Sequence, residues 1–297
     1  MRKPKKGQWR WEAVFLTGLV LFAMLGASVE RQMVRETSAQ DTAILLPVAM
    51  YHSVTDEGES PGAYVISPTM LERDLQYLSD RGYETVTISD LVSYVEDGTS
   101  LPKKPVMLTF DDGYYNNYCN AYPLLQKYDM QAVLSPVGTL VEQFSNTDDE
   151  QEHEAWSYCT GEELKEMVAS GVIEIQNHSY DFHDLKPRRG CLPVQGEDKS
   201  VYHDIFFEDT RRAQQLFASL GIPEPICYTY PYGARNDETD AVVEEYGFAA
   251  SLSCEEGIAC IVRDPACLKD IRRYNRDGRL SSEQFWQKLL EQTGEVE

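Results

Sequence analysis

A chain of 297 residues is long enough for one large domain or two small ones, with ample core in either case. Its 49 acidic residues outnumber 27 basic ones, and five of the basic ones fall in the first ten residues; beyond residue 12 the balance is 22 basic against 48 acidic, a net −26. A body of that sign repels nucleic acid and anionic lipid, which excludes nucleic-acid binding, and reads as solubility or as affinity for a cationic polymer or product.

In chain order, residues 1–12 are a basic stretch expected in the cytoplasm. Residues 13–29 open with the uncharged "AVFLTGLVLFAMLGA" and read as a transmembrane anchor or a cleavable signal segment. Fifteen apolar residues are short of the ~20 that a spanning helix needs. Ser28 and Val29, with Trp9 and Trp11 as interface anchors, bring the segment to the lower limit, whereas "LGAS" offers small residues for cleavage. Either way the body is expected outside the cytoplasmic membrane. Residues 30–44 read as a polar stem and 45–297 as the main domain.

Within that domain "LLPVAM" is a short apolar run ending at Tyr51-His52. A helix follows, with Ser67 as N-cap, Pro68 at its first position and Met70 or Leu71, Leu75 and Leu78 as its buried stripe. "ETVTI" alternates like a strand, and "SDLVSYVEDG" is a helix opened by Ser89 and closed near Gly98. "KPVMLTFDDG" is a continuous apolar run that stops at two aspartates. "AYPLLQKY" reads as helix, "QAVLSPVG" as strand, and the next helix carries a Thr160–Glu163 capping box and a terminal Gly171. "VIEIQNH" is a strand, and an irregular segment leads to a helix from about residue 204. The remainder reads as the strand and turn "PICYTYPYG", the helix "NDETDAVVEEYG", the strand "FAASLS" and the helix "SSEQFWQKLLEQ". Seven cysteines without a CxxC pair argue against a zinc ribbon; Cys254, Cys260 and Cys267 lie close enough in sequence for one disulfide, with buried free thiols as the equal alternative, and an odd count leaves at least one thiol free or paired with another chain.

Apolar strands alternating with helices indicate α/β architecture with a parallel sheet buried on both faces. About seven such units over some 250 residues predict a distorted (β/α) barrel of about seven parallel strands, with a doubly wound open sheet as the alternative. Four strands end in polar residues: His52, the pair Asp111 and Asp112, the pair His178 and His183, and Tyr232 with Gly233. Parallel strands present their C-terminal ends on one rim, where these groups can meet. The two histidines stand five residues apart, a spacing that no helix or strand pairs on one face, so the chain must leave its strand between them. Two histidines and a carboxylate form a three-ligand metal set with positions left for water and substrate, and a second aspartate beside them is free to act as a base.

The motifs "TFDDGYYNNY", "EIQNHSYDFHDL" and "YPYG" resemble those of the polysaccharide deacetylase family, carbohydrate esterase family 4, and the similarity runs from about residue 46 to the C-terminus. The histidine gap of five and the early "MYHS" resemble the bacterial branch of poly-N-acetylglucosamine deacetylases and related cell-envelope deacetylases. The resemblance implies hydrolysis of an acetamide on an N-acetylhexosamine polymer. It implies that Asp112, His178 and His183 bind a divalent metal, zinc first, with nickel, cobalt, iron and manganese as alternatives. It further implies Asp111 as general base, the Tyr232 backbone N–H as oxyanion donor, Gly233 as the residue permitting close approach, and His52 as the acid for the leaving amine. Many members carry an arginine a few residues before the third motif; Cys227 to Tyr230 occupy that stretch here, and Arg273 in "DIRRYN" is a candidate substitute, with a surface arginine as the alternative. Tyr114, Tyr115, Tyr180, Phe182 and Trp156 are candidate sugar-groove residues, whereas His153 and His203 fit no motif. The implied partner is a cell-envelope glycan, peptidoglycan or an exopolysaccharide, near the outer face of the membrane. An O-acetyl ester hydrolase on xylan or another acetylated glycan, and a catalytically silent glycan-binding protein, are the rival readings.

Overall fold

The computed structural model describes residues 43–57, 61–146 and 153–294. The basic stretch, the apolar segment 13–29 and nearly all of the stem lie outside the described residues; among those described, no helix is long and apolar enough to cross a membrane.

The body opens with β1 (Ile44–Leu46), β2 (Val48–Tyr51) and β3 (Ser53–Val54), Pro47 dividing the single apolar run expected there. After β4 (Val65–Ile66) comes α1 (Pro68–Asp80), capped by the Ser67 side chain on the Met70 N–H, with Leu71, Leu75 and Leu78 buried. Next are β5 (Glu84–Thr85) and α2 (Ile88–Asp97). The cap of α2 is Thr87, in a reciprocal box with Asp90, two residues earlier than the expected Ser89. Threonine wins because its side chain reaches the N–H three residues on while Asp90 returns the bond. The sheet centres on β6 (Pro105–Asp112), whose eight residues are all buried. A π turn (Asn117–Ala121), α3 (Tyr122–Lys127), β7 (Ala132–Pro136) and α4 (Gly138–Ser145) follow, the last unassigned from sequence because its short apolar face merges into polar loop. Helix α5 (Gly161–Ala169) has the expected Thr160–Glu163 box, and β8 (Ile173–Ile175) follows it. Helix α6 (Lys199–Ser219) begins earlier than expected, because Asp198 caps it on Ser200 and Val201. Then come β9 (Cys227–Thr229), a 3-10 turn (Pro231–Gly233), α7 (Asp237–Tyr246), β10 (Ala250–Leu252), β11 (Ala259–Ile261), β12 (Tyr274–Asn275) and α8 (Ser282–Leu290).

The central sheet is parallel, in the order β12-β2-β6-β7-β8, with β5 on the start of β6. β9 and β10 form a separate parallel pair, so the ladders do not run unbroken around the expected barrel. Single parallel bridges span the two gaps, Asn177 to Tyr228 and Leu252 to Ile271. At one side β1 pairs antiparallel with β11. Alternation along β6 sends Val106, Leu108 and Phe110 to the cluster beneath α1 and α8, and Met107 to the cluster holding Val133, Cys227 and Leu252. All seven cysteines are unpaired thiols, so of the two readings the sequence leaves open, a disulfide among Cys254, Cys260 and Cys267 or free thiols, the second holds. Cys267 Sγ instead bonds the Val262 peptide, accepting from its N–H at 3.4 Å and donating to its carbonyl at 3.3 Å.

Beside β12, Arg276 is buried and grips Asp74 of α1 through Nε at 2.7 Å and an Nη at 3.1 Å, and the Tyr51 hydroxyl donates to the same carboxylate at 3.0 Å. Removing one member of such a pair strands a buried charge. Arg276→Met is expected to lower the urea unfolding free energy by about 3–5 kcal/mol. The double variant Asp74→Leu/Arg276→Met should recover most of that loss, and equal losses in single and double variants would show that the charges are not the cause.

Candidate active site

Three strand ends build the site. β2 delivers His52, β6 delivers Asp111 and Asp112, and the chain leaving β8 delivers His178 and His183. Asp111 lies on the Thr109 face of β6, and simple alternation would turn Asp112 away from it. Asp112, the last residue of the strand, takes a left-handed φ of 72°, which bends the chain at that point. Gly113 follows with φ 79°, and a Cβ there would meet the Cβ of Pro136 at 2.6 Å, so the turn has room only for glycine.

The bend brings Asp112 Oδ1 to 2.9 Å from His183 Nε2 and 3.4 Å from His178 Nε2. One ligand atom from each residue lies within 4.8 Å of the others. Donors about 2.0–2.1 Å from a tetrahedral ion sit about 3.3 Å apart, so the set is of the right size for such an ion. The tautomer agrees: His178 Nδ1 lies 2.8 Å from the Thr229 carbonyl, which can only accept, so Nδ1 donates and the Nε2 lone pair faces Asp112. Burial alone would raise the Asp112 carboxyl, but the His178 and His183 rings beside it hold it well below the usual range. Burial would lower His183, yet the hydrogen bond and charge of Asp112 outweigh it and raise the imidazole.

Asp111 is buried and bound in a fork by Arg273, Nη1 to Oδ1 at 2.7 Å and Nη2 to Oδ2 at 2.9 Å. Arg273 is itself fully buried and donates further to the Ser253 carbonyl at 2.8 Å and Thr109 Oγ1 at 3.0 Å. Burial would push Asp111 up, and the Arg273 guanidinium, helped by His178 and His52, brings it below the ordinary carboxylate value. His52 is pushed down by burial against the pull of Asp111 and Asp112. Its carbonyl accepts from the Asn117 amide at 2.8 Å, its ring meets Tyr64 edge-on at 4.8 Å, and its Nδ1 is buried without a partner among the described residues.

Tyr232 has φ 57° in the turn after β9; its ring stacks on His183 at 4.6 Å and its hydroxyl donates to the His183 carbonyl at 3.0 Å. Gly233 packs against Cys254, which a Cβ would strike at 2.6 Å. Tyr114 stacks on Tyr158 at 4.8 Å, and burial together with the Asp112 charge raises its phenol. Tyr115 lies 6.1 Å from Tyr118, and the other three aromatic candidates also stand outside this group. Tyr180 is buried, with its hydroxyl on Glu142 and Arg212 over its ring at 3.8 Å. Phe182 packs on Phe206 at 5.7 Å. Trp156 is half exposed and stacks on His153 at 4.7 Å.

Sequence reasoning missed Thr229, which acts through its carbonyl and leaves no side-chain signal, and Tyr64, whose loop shows no motif. Asn117 was legible in principle: the paired asparagines of "TFDDGYYNNY" sit one turn beyond the aspartates, and amides there can reach the ends of neighbouring strands.

With this geometry in place, comparison with known proteins is informative. The sequence profile described as polysaccharide deacetylase matches residues 98–251, just over half of the chain. YxkH of Bacillus subtilis (strain 168), named for the same family, is 28% identical over 214 residues, 72% of this chain and 66% of its own. The poly-beta-1,6-N-acetyl-D-glucosamine N-deacetylase of Escherichia coli (strain K12) is 25% identical over 274 residues, 82% of this chain and 40% of that protein. The chain therefore spans less than two thirds of the length of either relative. The solved structure of IcaB from Ammonifex degensii matches with a TM-score of 0.63 at 27% identity, over 77% of this chain and 91% of that one. On this evidence the chain belongs to the polysaccharide deacetylase family.

Proposed function

We propose that this protein is a metal-dependent hydrolase that removes N-acetyl groups from an N-acetylhexosamine polymer of the cell envelope, peptidoglycan or poly-N-acetylglucosamine. One observation carries the reading: Asp112, His178 and His183 converge as a donor set beside Asp111, an ionised carboxylate held in the Arg273 fork. The family relation and the name of the Escherichia coli relative support the substrate class. In this reading residues 45–297 are the catalytic domain, following the basic stretch 1–12, the anchor or signal segment 13–29 and the stem 30–44, and the protein works at the outer face of the membrane. We read the parallel sheet, the β9–β10 pair and the two bridges as a distorted (β/α) barrel of about seven strands.

Asp112, His178 and His183 would hold a divalent ion, zinc in preference to nickel, cobalt, iron or manganese, because imidazole and carboxylate donors at tetrahedral spacing suit it. The chemistry such an ion supplies when bound is Lewis acidity toward the acetyl carbonyl and toward water. Asp111 takes the proton of the attacking water; Arg273 keeps it ionised and fixes the direction of its lone pairs. The Tyr232 N–H meets the carbonyl oxygen where negative charge develops, and the left-handed turn at Tyr232 and Gly233 is what lets backbone approach that closely. His52 donates a proton to the departing nitrogen. Its burial makes the imidazolium a stronger acid than one in water, which suits an amine that cannot leave as an anion. Tyr114 stands beside Asp112, where it would border the bound acetyl group. The products are acetate and a free amino sugar.

Asp111→Asn is expected to bind one zinc per chain like the parent while turnover falls by a factor of about 10² to 10⁴; metal analysis and acetate release check both, and unchanged turnover would remove Asp111 from its role. Arg273→Ala should also lose turnover by at least about tenfold, since it frees a base that must be oriented to within a few tenths of an ångström; unchanged catalysis would leave Arg273 a structural partner only. The decisive measurement is acetate release after chelation and zinc reloading, with N-acetylglucosamine oligomers, purified peptidoglycan and acetylated xylan offered side by side. Zinc-restored release from either amide polymer supports the amidase and names its substrate. Release from acetylated xylan alone would overturn it in favour of an esterase, and zinc binding without release from any polymer would leave a glycan-binding protein.

A further inference from the structure

The five-residue gap between His178 and His183 is bridged by a loop whose backbone partners are nearly all internal to the fold. Ser179, with φ 69°, gives its N–H to Asn177 Oδ1 at 2.8 Å and accepts the Phe182 N–H on its hydroxyl at 3.0 Å. The Ser179 and Tyr180 carbonyls accept from Gly138 and Thr139 at 3.1 and 2.8 Å, at the start of α4. The two N–H groups at the crown of the loop go elsewhere. Tyr180 donates to Asp209 Oδ1 at 2.9 Å and Asp181 to Asp209 Oδ2 at 2.7 Å.

Asp209 stands on α6, and it is buried. Two successive N–H groups aimed at one carboxylate make an anion-binding nest of backbone dipoles. A carboxylate alone among side chains of this size can accept both bonds at once; asparagine would satisfy one N–H and set its own NH2 against the other. Burial pushes the Asp209 carboxyl up to about 6, a measure of what keeping a charge at this position costs.

We infer that Asp209 is a positioning residue for the metal centre: by holding the Tyr180 and Asp181 amides, it sets the curvature that returns His183 beside His178. The inference rests on the reading of those two histidines as metal ligands. Helix α6 thereby controls ligand geometry although it supplies no ligand, and the turn between the two histidines is held by a carboxylate from outside the loop rather than by strand or helix geometry.

The test measures zinc affinity of the full-length chain by competition with a chelating dye, and the visible absorption of the cobalt(II)-substituted protein, for the parent, Asp209→Asn and Phe217→Leu. Phe217 is buried on the same helix and touches none of the loop's polar bonds, so its variant is the control for lost stability. Asp209→Asn is expected to bind zinc about tenfold more weakly, as loss of an orienting partner does, with an altered cobalt spectrum, while Phe217→Leu keeps the parent's affinity and spectrum at an equal or lower Tm. If Asp209→Asn does not fold, Asp209→Glu, which keeps the charge and displaces it by one methylene, is expected to show the same shift. Parent-like affinity and spectrum in the folded variant would overturn the positioning role alone. A parent that binds no zinc would overturn the metal reading and this inference together.

Discussion

The Asp111–Arg273 fork is the interaction on which the rest of this structure turns. Both side chains are buried, and an unpaired carboxylate at that depth would carry a penalty of several kcal/mol. The partner comes from the far end of the chain: Asp111 is the penultimate residue of the central strand, and Arg273 immediately precedes β12, which is laid along β2. The ionised state of Asp111 is therefore a property of the closed fold. Arg276 repeats the arrangement three residues later with Asp74, so β12, only two residues long, is flanked on both sides by guanidinium groups that add to its short ladder with β2. An arginine fork suits this task because it satisfies both carboxylate oxygens in one plane and stays charged.

The same economy appears around the histidines. His178 is oriented by a backbone carbonyl of β9, His183 by the ring and hydroxyl of Tyr232, and His52 by the Asn117 amide on its carbonyl. Each of these partners holds a ring or the backbone that carries it, so less freedom remains to be lost when a ligand arrives. The strained residues are concentrated here too: Asp112, Ser179 and Tyr232 all have positive φ, and all lie at the polar rim.

Much of this was legible in the sequence, for reasons that can be named. Long apolar runs ending in charged residues, such as "VMLTFDDG", announce a buried parallel strand with its chemistry at the C-terminal end, and β6 is that strand. Arg273 entered as a candidate only through the family resemblance, whose usual arginine is missing from the stretch Cys227 to Tyr230, and the structure places it on Asp111. Short elements were less visible. β12 and β11 are two and three residues long, too short for any period to register. Helix α4 lies where apolar pattern and polar loop run together, and α2 starts at Thr87 because hydroxyl geometry, not the hydrophobic pattern, decides a cap. Tyr180 looked like a groove residue from its place between the histidines, but the turn at Ser179 carries its ring into the core against Arg212. Side-chain direction in an irregular loop depends on φ values that the sequence alone does not reveal.

The unpaired cysteines have a consequence for how the molecule fails. Cys159, Cys191 and Cys227 are buried, burial raises their thiols well above the ordinary value, and among the seven only Cys260 is exposed. The folded protein thus keeps these three thiols protonated and out of reach of oxidants. Unfolding releases seven thiols at once into a chain with no native crosslink to guide them, and any disulfide formed then is a wrong one. Heat inactivation in air is on this account a one-way process whose rate is set by the opening of the fold, and a reductant converts it back into an equilibrium.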